Sequence, residues 1–256
     1  TLRPKESPVQ LASPPAAPAL PPFRAISDLI REHAWARPQQ LALRHGDRRL
    51  SWGDMDREVD RIAATLQRHG VRPQEAIAVA GANSIPYMLL FLGGLRAGLA
   101  VAPLPTGATA DQLAGMVRDS GARLFFVDAT VPGFDTAVPR IRMDLSAGEG
   151  SLPDWLLPAG AQPQPVEVQP DWAFNIIYSS GTTGTPKGIV QPHGMRWAHV
   201  ARGENYGYGP DAVAMVATSL CSNTTLVSVF PCLAKGGVVV LTEGRFDPAR
   251  YLALAH

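Results

Sequence analysis

The chain has 256 residues, 46% hydrophobic and 18% charged, enough to bury a sizeable core in one large or two modest domains. Its 23 basic and 22 acidic residues leave a formal net charge of +1, which offers no broad electrostatic footprint for nucleic acid or an anionic membrane surface. The cysteines Cys221 and Cys232 show no C-x-x-C spacing and no neighbouring His pair, so they read as buried free thiols in a reducing, cytoplasmic setting, not as a disulfide or zinc framework.

Residues 1–22 hold seven prolines and no continuous apolar run, the composition of a disordered linker and not of a signal peptide; residues 23–256 then read as one domain. The chain begins with Thr instead of Met, as a processed terminus or a segment of a larger polypeptide would. Ser27 is placed to cap a helix with Leu29, Ile30, Ala34 and Trp35 on its apolar face, ended by Pro38. Residues 41–45 and 48–52 flank Gly46-Asp47 as a tight hairpin. Ser51 caps the clearest helix of the sequence, with Met55, Val59, Ile62, Ala63 and Leu66 on one face and Gly70 past its end.

Residues 76–80 predict a buried strand, and Asn83 or Ser84, with Pro86 behind, opens an apolar helix. The run 85–102 has membrane-spanning length, but Pro86, Gly93, Gly94, Arg96 and Gly98 interrupt it, so it reads as a helix followed by a strand at 99–102. Thr109 and Gln112 form a capping box for a helix ending at Gly121, and 123–128 is the next strand. Such alternation predicts an α/β fold of mainly parallel sheets flanked by helices. Residues 131–170 hold seven prolines and read as an irregular excursion around a short element at 154–157. Helices at 195–202 and at 225–235, kinked at Pro231, and strands at 212–219 and 238–242 follow. Asp247-Pro248 starts a last helix with fewer than three turns before His256, a pattern that suggests a domain continuing beyond this chain.

The stretch 173–188, AFNIIYSSGTTGTPKG, runs an apolar strand into a Ser, Thr and Gly loop closed by lysine. Glycines let backbone N–H groups converge on one anion, hydroxyls add donors, and the ammonium supplies a compact charge. Lys5, Lys187 and Lys235 are the only lysines among the 23 basic residues, so a lysine here suits a point charge better than a planar fork. The loop is not a Walker A motif, because Pro186 precedes the lysine and Gly188 follows it, and it has no G-x-G-x-x-G spacing. It reads as a phosphate cradle.

YSSGTTGTPKG resembles the phosphate-loop signature of the adenylate-forming (AMP-binding) superfamily, which includes acyl-CoA synthetases, peptide-synthetase adenylation domains and luciferases. The segments LSWGDMDREVDRIAATLQRHGV, AVAPLP and KGGVVVL are similar to acyl-CoA ligase segments in the same order. The resemblance implies an incomplete N-terminal domain of the adenylate-forming fold, and an acid–thiol ligase of the kind found in fatty acid metabolism. Its carboxylic acid would attack the α-phosphate of ATP, giving acyl-AMP and pyrophosphate, and CoA would then displace AMP. Ser179, Ser180, Gly181, Thr182, Thr183, Gly184, Thr185 and Lys187 would bind the nucleotide, Lys187 offsetting charge on departing pyrophosphate. Mg2+ would accompany ATP, with no side-chain metal site visible. His193 matches a histidine of the extended loop motif, although HGM stands where many members have H-x-N. Asn223 lies in SLCSNTTL, where many acyl-CoA ligases carry an aromatic-His motif near the acyl pocket; both are candidates for the acid site. The adenine pocket, the ribose-binding acid and the C-terminal lysine domain would lie in a missing C-terminal part of the same enzyme, leaving this segment alone inactive. The alternatives are an adenylation domain of a multimodular synthetase and a non-catalytic nucleotide-binding remnant.

Overall fold

The structure is a computed structural model that describes residues 20–146, 148–179, 186–244 and 247–255. The predicted linker lies outside these residues except for Leu20, Pro21 and Pro22, as do Ser180, Gly181, Thr182, Thr183, Gly184 and Thr185 of the loop. The described chain opens with α1 (Ile26–Ala36), β1 (Leu41–His45), β2 (Arg48–Ser51), α2 (Trp52–Arg68), β3 (Ala76–Ala80) and α3 (Ile85–Arg96). It continues through β4 (Ala100–Leu104), α4 (Ala110–Asp119), β5 (Ala122–Val127), β6 (Arg140–Arg142) and α5 (Leu152–Trp155). The last part holds β7 (Ala173–Ser179), β8 (Lys187–Pro192), α6 (His193–Ala201), β9 (Val213–Val216), α7 (Asn223–Ala234), β10 (Val238–Leu241) and α8 (Pro248–Ala255).

The strands form two sheets, ordered β6-β5-β3-β4-β7-β8 and β2-β1-β10-β9, and each is parallel except for its hairpin, β7–β8 in the first and β1–β2 in the second. Strand β3 explains the layering. All five of its residues are buried; Ile77 and Val79 join the core shared with α1, α2, α3, α7 and the smaller sheet, while Ala78 and Ala80 face α4 and Phe125. A parallel strand covered on both faces needs this continuous apolar run.

Three predicted caps are present: Ser51 accepts from the Asp54 N–H, Ser84 from the Tyr87 N–H, and Thr109 exchanges both capping-box bonds with Gln112. Ser51→Ala is expected to lower stability by about 1 kcal/mol, measured as a shift in urea midpoint at constant m-value. Gly70 takes φ +76 beyond α2, the left-handed position its sequence placement implied.

Four expectations need correction. Ala25, not Ser27, is the N-cap of α1; the helix starts two residues earlier, and the buried Ser27 instead offers its carbonyl to Arg96. Trp35 is 75% exposed, because Ile26, Ile30 and Ala34 at four-residue spacing define the buried stripe and Trp35 sits a further 100° around the helix. The excursion 131–170 contributes β6, which extends the larger sheet beside β5, and α5 begins two residues before the predicted short element. Finally, the helix expected at 195–202 begins two residues earlier, at His193, and a strand not read from the sequence precedes it: β8 pairs antiparallel with β7 over its whole length. Gly188 permits this pairing, since a Cβ there would stand 3.0 Å from Ile176 Cγ2 and 3.2 Å from Tyr178 Cε1.

Candidate functional site

The hairpin β7–β8 carries the site. Strand β7 enters the larger sheet beside β4, with Asn175 opposite Val101, so Phe174, Asn175 and Ile177 are buried and Ser179 emerges into solvent. Ser179 is paired with Lys187 across the hairpin, which places both ends of the Ser, Thr and Gly loop side by side at the sheet's edge. Lys187 is exposed and makes no salt bridge among the described residues, leaving its ammonium available to an anionic ligand. Just below, the Tyr178 hydroxyl donates to Asp119 Oδ2 at 2.6 Å and ties β7 to the end of α4. Burial, helped by the Asp119 hydrogen bond, raises the Tyr178 pKa well above its ordinary value, so the phenol stays protonated.

His193 is not part of that end. Six residues separate it from Lys187 along an extended strand, roughly 20 Å at strand spacing. It is 4% exposed and wedged edge-on between Phe23 and Phe174, with ring centroids 6.5 and 5.0 Å away, and its Nε2 has no hydrogen-bond partner among the described residues. Desolvation pushes its pKa down to about 4, so it is neutral at ordinary pH.

Asn223 is the first residue of α7 and is half-buried. Its Oδ1 accepts from Arg196 Nη2 at 2.8 Å, and this arginine is the functional candidate that sequence reasoning missed. Arg196 is 1% exposed on α6; its Nε and Nη2 also donate to Asn175 Oδ1 at 3.2 and 3.0 Å, Nη2 also contacts Gln191 Oε1, and Cζ lies 5.5 Å over the Phe174 ring. An arginine in a helix with other polar residues carries no sign of facing inward; its partners lie on β7, β8 and α7, and the packing of α6 against them is what buries it. The structure thus gathers Asn175, Gln191, Arg196 and Asn223 in one cluster, with His193 against the same Phe174 ring, while Ser179 and Lys187 stand apart. Cys232 is buried and Cys221 half-buried, and burial raises both thiol pKa values, to about 11 for Cys232.

The depressed His193 pKa has a testable sign. A histidine whose folded pKa lies below its unfolded value near 6.5 adds stability that is complete above pH 6.5 and lost as pH falls toward about 4. Stability is expected to drop by up to about 3 kcal/mol across that window from this residue. His33 and His199, also lowered, act in the same direction. His193→Gln should flatten the urea midpoint between pH 6.5 and 4; an unchanged slope would refute the buried neutral assignment.

Two mainly parallel sheets enclosing helices, with a polar loop closed by lysine on an edge hairpin, define the class: an α/β domain of the adenylate-forming fold. The sequence profile of the AMP-binding enzyme family matches residues 30–256, and the chain belongs to that family. It is similar to the AMB antimetabolite synthetase AmbB of Pseudomonas aeruginosa, at 32% identity over 238 residues, covering 91% of this chain and 18% of that protein. It is also similar to the phosphinothricin tripeptide synthetase PhsB of Streptomyces viridochromogenes, at 29% identity over 248 residues, covering 92% of this chain and 20% of that protein. The chain therefore spans about one fifth of the length of these relatives. Among solved structures, a protein described as a long-chain-fatty-acid CoA ligase from Rhodopseudomonas palustris superposes with TM-score 0.79 at 19% identity, over 89% of this chain and 59% of that one. The N-terminal subdomain of Klebsiella oxytoca NpsA, in complex with 3-hydroxybenzoyl-AMSN, gives 0.75 at 18% identity, over 91% and 57%. The fold is thus the N-terminal portion of the adenylate-forming architecture. No helix among the described residues is long and apolar enough to cross a membrane.

Proposed function

We propose that residues 23–256 form the N-terminal part of an adenylation domain in which a carboxylic acid attacks the α-phosphate of ATP. A carboxylate oxygen forms the new P–O bond, pyrophosphate leaves with the electrons of the broken one, and the product is an acyl-adenylate. The observation that carries this reading is the family match across 30–256 with Lys187 exposed at the mouth of the hairpin loop. Ser179 and Lys187 would bracket the β- and γ-phosphates, with Ser180, Gly181, Thr182, Thr183, Gly184 and Thr185 supplying hydroxyl and N–H donors between them. Mg2+ would travel with ATP, held chiefly by phosphate oxygens. Residues 1–22 would act as a linker to a preceding segment, and the setting would be cytoplasmic.

For the second step, in which a thiol displaces AMP, we propose a carrier-borne thiol in preference to CoA. The reading is supported by the peptide synthetases among the relatives at about 30% identity, whereas the CoA ligase is similar in fold alone. The test is acid-dependent ATP–pyrophosphate exchange by the full-length polypeptide. Lys187→Ala should lower kcat by about 10²-fold, the usual loss of one electrostatic donor to a developing anion, with ATP affinity reduced less. Exchange that needs no acid, or is indifferent to Lys187, would sink the proposal; thioester formation on free CoA but on no carrier domain of the same polypeptide would reverse the choice of acceptor.

A further inference from the structure

We infer that Tyr178, held by Asp119 at the end of α4, is a positioning residue for Lys187: the pair fixes the base of the Ser, Thr and Gly loop so that the ammonium stands where pyrophosphate departs. The inference rests on the adenylation reading above and adds a residue to it. Side-chain alternation separates the two faces of the hairpin. Ile177 belongs to the core shared with α1, α2, α3, α7 and the smaller sheet, whereas Ile176 and Tyr178 pack with α4 on the other face. Ser179 therefore shares the face of Ile177, and Lys187, directly opposite Ser179, shares it too. Tyr178 reaches the reverse face, so it acts on a ligand gripped by Lys187 only through the backbone that carries both residues.

Backbone pairing alone holds that end loosely. Among the described residues, β7 pairs with β4 at Val101–Asn175 alone, and β8 is the edge strand. From Ile176–Val190 out to Ser179–Lys187 the two strands of the hairpin pair with each other, and a two-stranded ribbon by itself is marginally stable. Ser179 lies two residues beyond Ile177, the last buried residue of β7. That is roughly 7 Å along the strand, so a tilt of about 10° there moves the base of the loop by about 1 Å. The Tyr178 hydroxyl supplies the missing tie, donating to Asp119 Oδ2 at 2.6 Å and standing 3.1 Å from the Met116 carbonyl. Two neighbours are accounted for by this tie. Asp119 is the last residue of α4, where a carboxylate opposes the helix dipole, and it makes no salt bridge among the described residues; its hydrogen-bonded partner is the phenol. Gly188, opposite Tyr178, leaves room for the contact, since a Cβ there would stand 3.2 Å from Asp119 Oδ2.

The test is acid-dependent ATP–pyrophosphate exchange by the full-length polypeptide, with kcat and the KM for ATP measured separately. Tyr178→Phe removes the hydroxyl and keeps the ring. It should lower kcat by about tenfold and change the KM for ATP by less than about twofold, because a small misplacement penalises the transition state more than the bound nucleotide. Combined with Lys187→Ala, it should add nothing to the loss that Lys187→Ala causes alone, since an absent ammonium cannot be misplaced. Asp119→Asn keeps an acceptor oxygen and should retain most of kcat. Asp119→Ala leaves the hydroxyl only the Met116 carbonyl and should fall between Asp119→Asn and Tyr178→Phe. Ser51→Ala, which weakens a helix cap elsewhere, should leave kcat unchanged and so accounts for stability loss by itself; thermal melting follows the fold of every variant. A Tyr178→Phe enzyme with wild-type kcat, or losses at Tyr178 and Lys187 that multiply, overturns the inference while leaving adenylation standing. Wild-type exchange that needs no acid overturns adenylation and this inference together.

Discussion

Replacing Arg96 with leucine is expected to destabilise the fold by about 3–5 kcal/mol, the cost of leaving buried carboxylates without their counter-ion. Arg96 is 5% exposed at the last turn of α3. Its Nη1 donates to Asp60 Oδ1 at 2.8 Å and to the Asp56 carbonyl at 3.1 Å, and its Nη2 donates to the Ser27 carbonyl at 3.1 Å. Nη2 also lies 2.6 Å from Asp56 Oδ1, in contact as a charge though not aligned as a hydrogen bond. One side chain thus joins α1, α2 and α3. Arg31 also reaches Asp60 at 2.6 Å, but it is a third exposed and cannot neutralise Asp56. The measurement is a urea titration at neutral pH. Arg96→Leu should move the midpoint strongly, and the triple variant Arg96→Leu, Asp56→Leu, Asp60→Leu should recover most of the loss, because it removes the orphaned charges with the arginine. A triple variant no more stable than the single one would show that packing, not charge, dominates there.

Arg96 also shows how far the sequence could be read. As a lone charge in an apolar run it argued correctly against a membrane span, but nothing in that run named its partners, which lie 36 and 40 residues away on α2. Helices with local grammar were legible for the same reason: Ser51, Ser84 and Thr109 act within three residues, so their caps follow from sequence alone. Strands β3, β4, β5 and β10 announced themselves by apolar runs that parallel sheets require. Strand β6, three residues of Arg-Ile-Arg, has no such signal and exists because β5 offers it an edge. Strand β8 was missed because Ile189 and Val190 are half-exposed neighbours on an edge strand, without the two-residue alternation of a half-buried strand. The Ser, Thr and Gly loop stands out in the sequence because glycines, hydroxyls and a lysine are packed into eleven residues, so it needs no tertiary information to be noticed. The Arg196 cluster was not legible: Asn175, Gln191, Arg196 and Asn223 come from four elements, and only the sheet and helix packing brings them together.

The same packing makes Phe174 the second large prediction. It is fully buried on β7, next to Asn175, with ring centroids 4.8 Å from Phe230, 5.9 Å from Phe91 and 5.0 Å from His193, and with Arg196 stacked over its face. Phe174→Ala should cost about 3–5 kcal/mol, combining lost apolar transfer with a cavity that α6 and α7, held by their other contacts, cannot close. Phe230→Ala removes a comparable ring from the same core while sparing the faces that touch His193 and Arg196. The two variants should therefore match in urea midpoint and differ in pH behaviour. Loss of Phe174 exposes the His193 ring to water, so its pKa should rise from about 4 toward 6.5, seen directly in the histidine ring proton shifts on titration. Because the histidine is then protonated at similar pH in folded and unfolded chains, the acid loss of stability should flatten in Phe174→Ala and persist in Phe230→Ala. An unshifted His193 in Phe174→Ala would mean that Phe23, on its other face, alone keeps water out, and that Phe174 serves only as the packed floor between the hairpin and α7.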